Sequence, residues 1–92
     1  MGVRMVYDDE TGKLVRLSLP LPTMREMAAA MEERPSPEVI DAIIRSAKRR
    51  IRRLGRPKLN PRRIGAALRR SRRPVSDEQV AWVLLSWLRV PE

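Results

Sequence analysis

The chain has no cysteine and no histidine. The first absence excludes disulfides, and the two together exclude the common zinc sites and nearly all catalysis by a nucleophile paired with an imidazole. Stability has to come from packing. Aromatic residues are scarce as well: Tyr7, Trp82 and Trp87 are the whole set. No apolar run approaches the roughly eighteen residues of a membrane span. The first residues also lack the basic-then-apolar pattern of a secretory signal. The expectation is a cytoplasmic protein with no membrane partner, nucleoid-associated if it binds DNA.

The most informative absence is that of negative charge. From Arg45 to Arg73, twenty-nine positions contain no carboxylate and fourteen basic residues. Arg45, Lys48, Arg49, Arg50, Arg52, Arg53, Arg56, Lys58, Arg62, Arg63, Arg69, Arg70, Arg72 and Arg73 give the block +14, while the other sixty-three residues hold six basic and eleven acidic groups, or −5. A like-charge block of this density repels itself, so a polyanion that neutralises it is the natural partner. Nucleic acid is the leading candidate, with arginine forks suited to two phosphate oxygens at once or to the O6 and N7 of guanine.

The block contains no aromatic residue on which unpaired bases could stack, so duplex backbone is favoured over single strands, and DNA over RNA as a softer preference. All the basic residues named above except Arg50 are expected to contact it. The ordinary alternative, a solvated helix face, accounts poorly for a run that crosses a loop and continues into a second helix. An acidic protein surface, such as that of a polymerase, nuclease or ribosomal assembly, is the other partner class that fits.

Ninety-two residues make one small domain of roughly 12 Å radius of gyration. Val3, Met5 and Tyr7 alternate with their neighbours, Asp8 to Gly12 supplies turn residues, and Val15, Leu17 and Leu19 alternate again. That predicts a β-hairpin over 1–20. Thr23 and Glu26 form a capping box ahead of Met24, Met27, Ala28 and Met31, predicting a helix over 23–34.

Ser36 and Pro37 open a second helix over 37–54, in which Ile40, Ile43, Ile44, Ala47, Ile51 and Leu54 make an apolar stripe about 100° wide opposite the basic arc. Gly55 is placed to cap its end. Asn60 and Pro61 open a third helix over 61–72, where Gly65 would admit a neighbouring backbone. Ser76 and Gln79 open a fourth over 77–90. The expected fold is mainly α: an N-terminal hairpin followed by four short helices.

The fourth helix has two apolar arcs, Val80, Val83, Leu84 and Trp87 on one side and Ala81, Trp82, Leu85 and Leu88 on the other. Burial on both sides suggests a homodimer seam at Trp82 and Leu85. Residues 61–88 could also be a helix-turn-helix. Its recognition helix would then begin with Asp77 and Glu78, which repel phosphate.

Lys13 to Pro20 as an alternating strand, a short helix, a Pro/Ser break and Ser36-Pro37-Glu38-Val39-Ile40 opening a longer helix together resemble the ribbon-helix-helix family of DNA-binding proteins. The resemblance spans residues 13–54. It implies strands paired between two subunits and inserted into the major groove, with Arg16 and Ser18 facing bases, Leu14 on the same side, and Ser36 near a phosphate. Val15, Leu17 and Leu19 would be core.

Nothing in the chain specifies a reaction. Asp8, Asp9 and Glu10 could face a divalent cation, but three acids in a turn without further spaced ligands read as a hairpin tip. The chain is expected not to be an enzyme, and to have no metal and no cofactor. Met24, Met27 and Met31 could form an adaptable docking groove, although at helical spacing they more often pack inward.

Overall fold

The computed structural model describes residues 3–8, 10–18, 20–53 and 57–89. The expectations placed on Asp9, Leu19, Leu54, Gly55, Arg56 and Val90 lie outside them. β1 (Val3–Tyr7) and β2 (Leu14–Ser18) pair antiparallel, with Met5 opposite Arg16 and Val6 opposite Val15. The turn between them is tied by the Asp8 carboxylate, which accepts from the Glu10 amide at 3.1 Å and the Thr11 hydroxyl at 3.0 Å. Asp8 is buried and belongs to the turn, as a hairpin-tip residue would. Gly12 has φ +70°, a backbone region that favours glycine.

The helices are α1 (Met24–Ala30), α2 (Pro37–Arg53), α3 (Pro61–Arg70) and α4 (Asp77–Trp87). Between α2 and α3 lies β3 (Lys58–Leu59), which pairs parallel with β2: Arg16 stands opposite Lys58 and Leu17 opposite Leu59. The Arg16 amide donates to the Pro57 carbonyl at 3.0 Å. The sheet order is β1-β2-β3. The protein is thus a small α/β domain with a mixed three-stranded sheet and four helices, which corrects the expectation of a mainly α fold with an isolated hairpin. A two-residue strand between Pro57 and Pro61 is too short to show alternation. Its pairing needs the crossover through α1 and α2, which no local pattern reveals.

Val6, Val15, Leu17 and Leu59 face the helices and are fully buried, whereas Met5 and Leu14 on the opposite face are exposed. One face of the sheet therefore carries the core and the other is open. The core is completed by Ile43, Ala47 and Ile51 of α2, Ile64 and Leu68 of α3, and Val80, Val83 and Leu84 of α4. Ile40 and Ile44 pack on its margin, so the isoleucine stripe is the buried face of α2. The methionine face of α1 is not a core stripe. Only Met27 is buried, and Met24 is among the most exposed apolar side chains.

Local signals account for the helix starts. Thr23 with Glu26, and Ser76 with Gln79, form complete capping boxes, and the Asn60 side chain accepts from the Arg62 amide at 3.0 Å. The Gln79 side-chain amide also donates to the carbonyls of Ala30 at 3.0 Å and Glu33 at 2.6 Å, so one residue serves the start of α4 and the end of α1.

The ends fall short of expectation. α1 stops at Ala30 ahead of Pro35, and α3 stops at Arg70 because Arg72 turns to positive φ. α4 ends at Trp87 because Leu88 is extended and Arg89 pairs with Tyr7, its amide donating to the Tyr7 carbonyl at 3.0 Å. Lys13 donates to the Ile51 carbonyl at 3.3 Å and so serves the end of α2.

The Thr23 backbone amide donates to the Glu26 carboxylate, and this bond, aided by the Thr23 hydroxyl, holds the carboxyl below its ordinary value of 4.5. A depressed carboxylate stabilises the fold above its unfolded value and loses that contribution as pH falls through the folded one. Melting temperatures measured from neutral pH to below 4.5 should therefore fall less steeply for Glu26→Gln than for the wild type. Glutamine keeps the reciprocal bond, as Gln79 does in α4. Parallel curves would rule the contribution out.

Candidate nucleic-acid interface

The basic residues of α2 follow from its amphipathicity: with the isoleucines turned to the core, Arg45, Arg49, Arg52 and Arg53 are left on the exposed arc. Arg45, Arg49 and Arg53 are spaced by four and line up along the helix. Arg63, Arg70, Arg72 and Arg73 are exposed on α3 and the turn after it, and Lys58 on β3. Among the described residues none of Arg45, Arg49, Arg52, Arg53, Lys58, Arg63, Arg72 and Arg73 has a side-chain hydrogen bond or ion pair within the chain. Arg70 makes only a long bond of 3.5 Å to the Ala66 carbonyl.

Three members of the block are placed differently. Lys48 is half-buried and pairs with Glu10 at 3.2 Å. Arg69 donates to Asp77 and to the Val75 carbonyl, both at 3.0 Å, and so ties the α3–α4 connection. Arg62 lines a cleft of about 320 Å³ together with Glu26, Asp77 and Glu78. A block without acids along the chain is thus partly matched by acids across the fold. Gly65 serves the same connection. A Cβ there would meet the Asp77 carboxylate at 2.6 Å and the Arg69 guanidinium at 2.9 Å, so the glycine admits this ion pair rather than a neighbouring backbone.

Two groupings in space have no counterpart along the sequence. Arg16 and Lys58 are register partners on the open face of the sheet, and like charges placed opposite each other are destabilising unless an anion joins them. The second is a cleft of about 230 Å³ between α2 and the end of α3, where Arg45, Ser46 and Arg49 meet Ala67, Ser71 and Arg73.

The turn that brings Arg73 there is a Schellman-type end. The Arg73 amide donates to the Leu68 carbonyl at 2.9 Å, and Arg72 occupies the left-handed position with φ +60°. A non-glycine residue in that region costs roughly 1–2 kcal/mol. Sequence reasoning named these arginines but not their convergence, for which the sequence carries no signal.

Electrostatics of the helix ends account for part of the pattern. Arg50, Arg52 and Arg53 in the last turn of α2, and Arg69 and Arg70 in that of α3, complement the carbonyl ends of their helices. Arg45, Arg49, Arg63 and Arg73 have no such role. Among the described residues no group of three or more potential ligands is disposed to hold a metal ion. No described helix is long and apolar enough to cross a membrane.

α4 is not presented as a recognition helix. It packs against α1, α2 and α3, with Val80, Ala81, Val83 and Leu84 buried. Of its second apolar arc, Ala81 and Leu88 are buried within the subunit, while Trp82 and Leu85 are half-buried. The subunit itself covers Ala81 and Leu88, while Trp82 and Leu85, the residues expected at a seam, keep part of their surface open. Arg16 and Ser18 stand half-buried on β2, the central strand, whose two edges are both paired within the subunit. Pairing β2 with its copy would require one of those pairings to open. Compared with known proteins, the chain matches no family model, no curated protein and no solved structure.

Proposed function

We propose that this protein binds nucleic acid, duplex DNA above all, by gripping the phosphate backbone with the exposed arginines of α2, α3 and the turn that follows, and that it acts as a small regulator on DNA. The observation that carries this reading is the set of unpartnered cations: eight exposed basic side chains on these elements and β3 that form no ion pair among the described residues. Arg45 to Arg53 spans about 12 Å of helix axis at the rise of an α-helix. That length is comparable with the roughly 12 Å width of the major groove, so one arc can reach phosphates on both of its walls.

If about six phosphates are neutralised, a plot of log affinity against log salt has a slope of about −5. Fluorescence anisotropy with a mixed-sequence duplex, titrated from about 50 mM salt upward, measures it. Absence of binding at the lowest salt overturns the proposal. An acidic protein surface is the second reading, supported by the two carboxylates, Glu10 and Asp77, that already pair with this block. Co-purification with an acidic protein instead of nucleic acid, both assessed before a high-salt wash, would favour it.

A further inference from the structure

We infer that the cleft between α2 and α3 is a discrete site for one phosphate group, the anchoring contact of the interface proposed above and dependent on that reading for its biological ligand. Arg45 and Arg49 line it from α2 and Arg73 from the turn after α3, and none of the described residues that line the cleft is a carboxylate. Three arginines on the walls of one open cleft repel one another, and an oxyanion that accepts from all of them removes the repulsion. The Ser46 and Ser71 hydroxyls on the same walls supply further donors. Short side chains here, Ala42, Ser46, Ala67 and Ser71, leave room for phosphate oxygens to approach. At about 230 Å³ the space is smaller than the roughly 300 Å³ at which pockets for cofactor-sized molecules begin, which suits a phosphate with its water better than a whole nucleotide.

The backbone adds an independent observation. Arg72 holds a left-handed conformation that glycine would adopt without strain, and the turn it makes carries Arg73 back to the cleft. Strain retained where a functional side chain is being aimed is a recurrent feature of binding sites. A site of this kind serves a phosphodiester within a strand and a phosphate monoester at a strand end by the same chemistry.

The test is to titrate the full-length protein with inorganic phosphate while following arginine side-chain N–H resonances, and to measure duplex binding in parallel. The site predicts saturable shifts confined to a few arginines, lost in Arg49→Gln/Arg73→Gln and kept in Arg52→Gln/Arg53→Gln. It also predicts that the first pair weakens duplex binding at least tenfold more than the second. Uniform, non-saturating shifts, or equal effects of the two pairs on duplex binding, overturn it. Saturable phosphate binding in a protein that binds no duplex upholds the site while removing the nucleic-acid reading. Tighter binding of a 5′-phosphorylated duplex assigns the site to strand ends, and equal binding assigns it to the backbone.

Discussion

Replacing Arg49, Arg52 and Arg53 together by glutamate is expected to abolish duplex binding and leave the fold intact. All three are exposed, on the arc of α2 opposite Ile43, Ala47 and Ile51, and none has an intramolecular hydrogen bond or ion pair among the described residues. Hydrogen bonds to charged groups contribute about 1.5–3 kcal/mol each, so losing three weakens binding on the order of a thousandfold or more before the new repulsion is counted. Neutral replacement by glutamine should move the salt slope from about −5 to between −2 and −3, since each phosphate contact contributes roughly 0.9.

Anisotropy titrations provide both quantities, and far-ultraviolet circular dichroism checks the helices. The same variants report on the exposed arc itself: loss of helix in the glutamate protein would mean that these arginines pack rather than face solvent. Glu10 pairs with Lys48 and Asp77 with Arg69, so the variants leave these two ion pairs untouched.

Leu84→Ala is expected to have the largest effect on stability. Leu84 is fully buried on α4, the helix that touches α1, α2 and α3, so the space left behind opens toward several elements at once. Buried Leu→Ala replacements cost about 3–5 kcal/mol. In a domain of this size each kcal/mol shifts the melting temperature by roughly 4–8 °C, so a fall of about 15 °C or more follows. With total stability near 5–15 kcal/mol the variant stays marginally folded.

Trp82→Glu makes the informative contrast, because Trp82 is half-buried. It should melt well above Leu84→Ala. If Trp82 also closes a seam between subunits, light scattering will show the mass falling to that of a monomer. A Leu84→Ala protein melting within a few degrees of the wild type would contradict its place at the hub.

Much of the secondary structure was legible because its causes are local. The Thr23–Glu26 and Ser76–Gln79 boxes, Asn60 before Pro61, and β2 with Val15 and Leu17 facing inward are all where side-chain chemistry puts them. In β1, by contrast, it is Val6 that faces the core and not the alternating set that includes Met5 and Tyr7, because pairing with β2 sets which face is covered. The isoleucine spacing of α2 likewise implied an exposed basic arc. β3 was not legible, since two residues cannot display a period and their partner lies beyond two helices. The same was true of the methionine face of α1: spacing defines a face, but only the neighbours decide whether Met24 is covered. Gly65 showed that something comes close, and the structure shows that it is the Arg69–Asp77 pair.

The sequence by itself determined the sign, size and location of the charge, the helix starts and the polarity of each helix, because these depend on residues a few positions apart. The tertiary structure alone decided which of those charges remain unsatisfied. Coulomb attraction acts through space, so Glu10 reaches Lys48 and Asp77 reaches Arg69 although neither lies in the basic block. It also decided that Arg45, Arg49 and Arg73 share one cleft and that Arg16 stands beside Lys58. Those groupings arise from helix packing and strand register, which are set by the burial of the apolar residues and not by the arginines that they bring together.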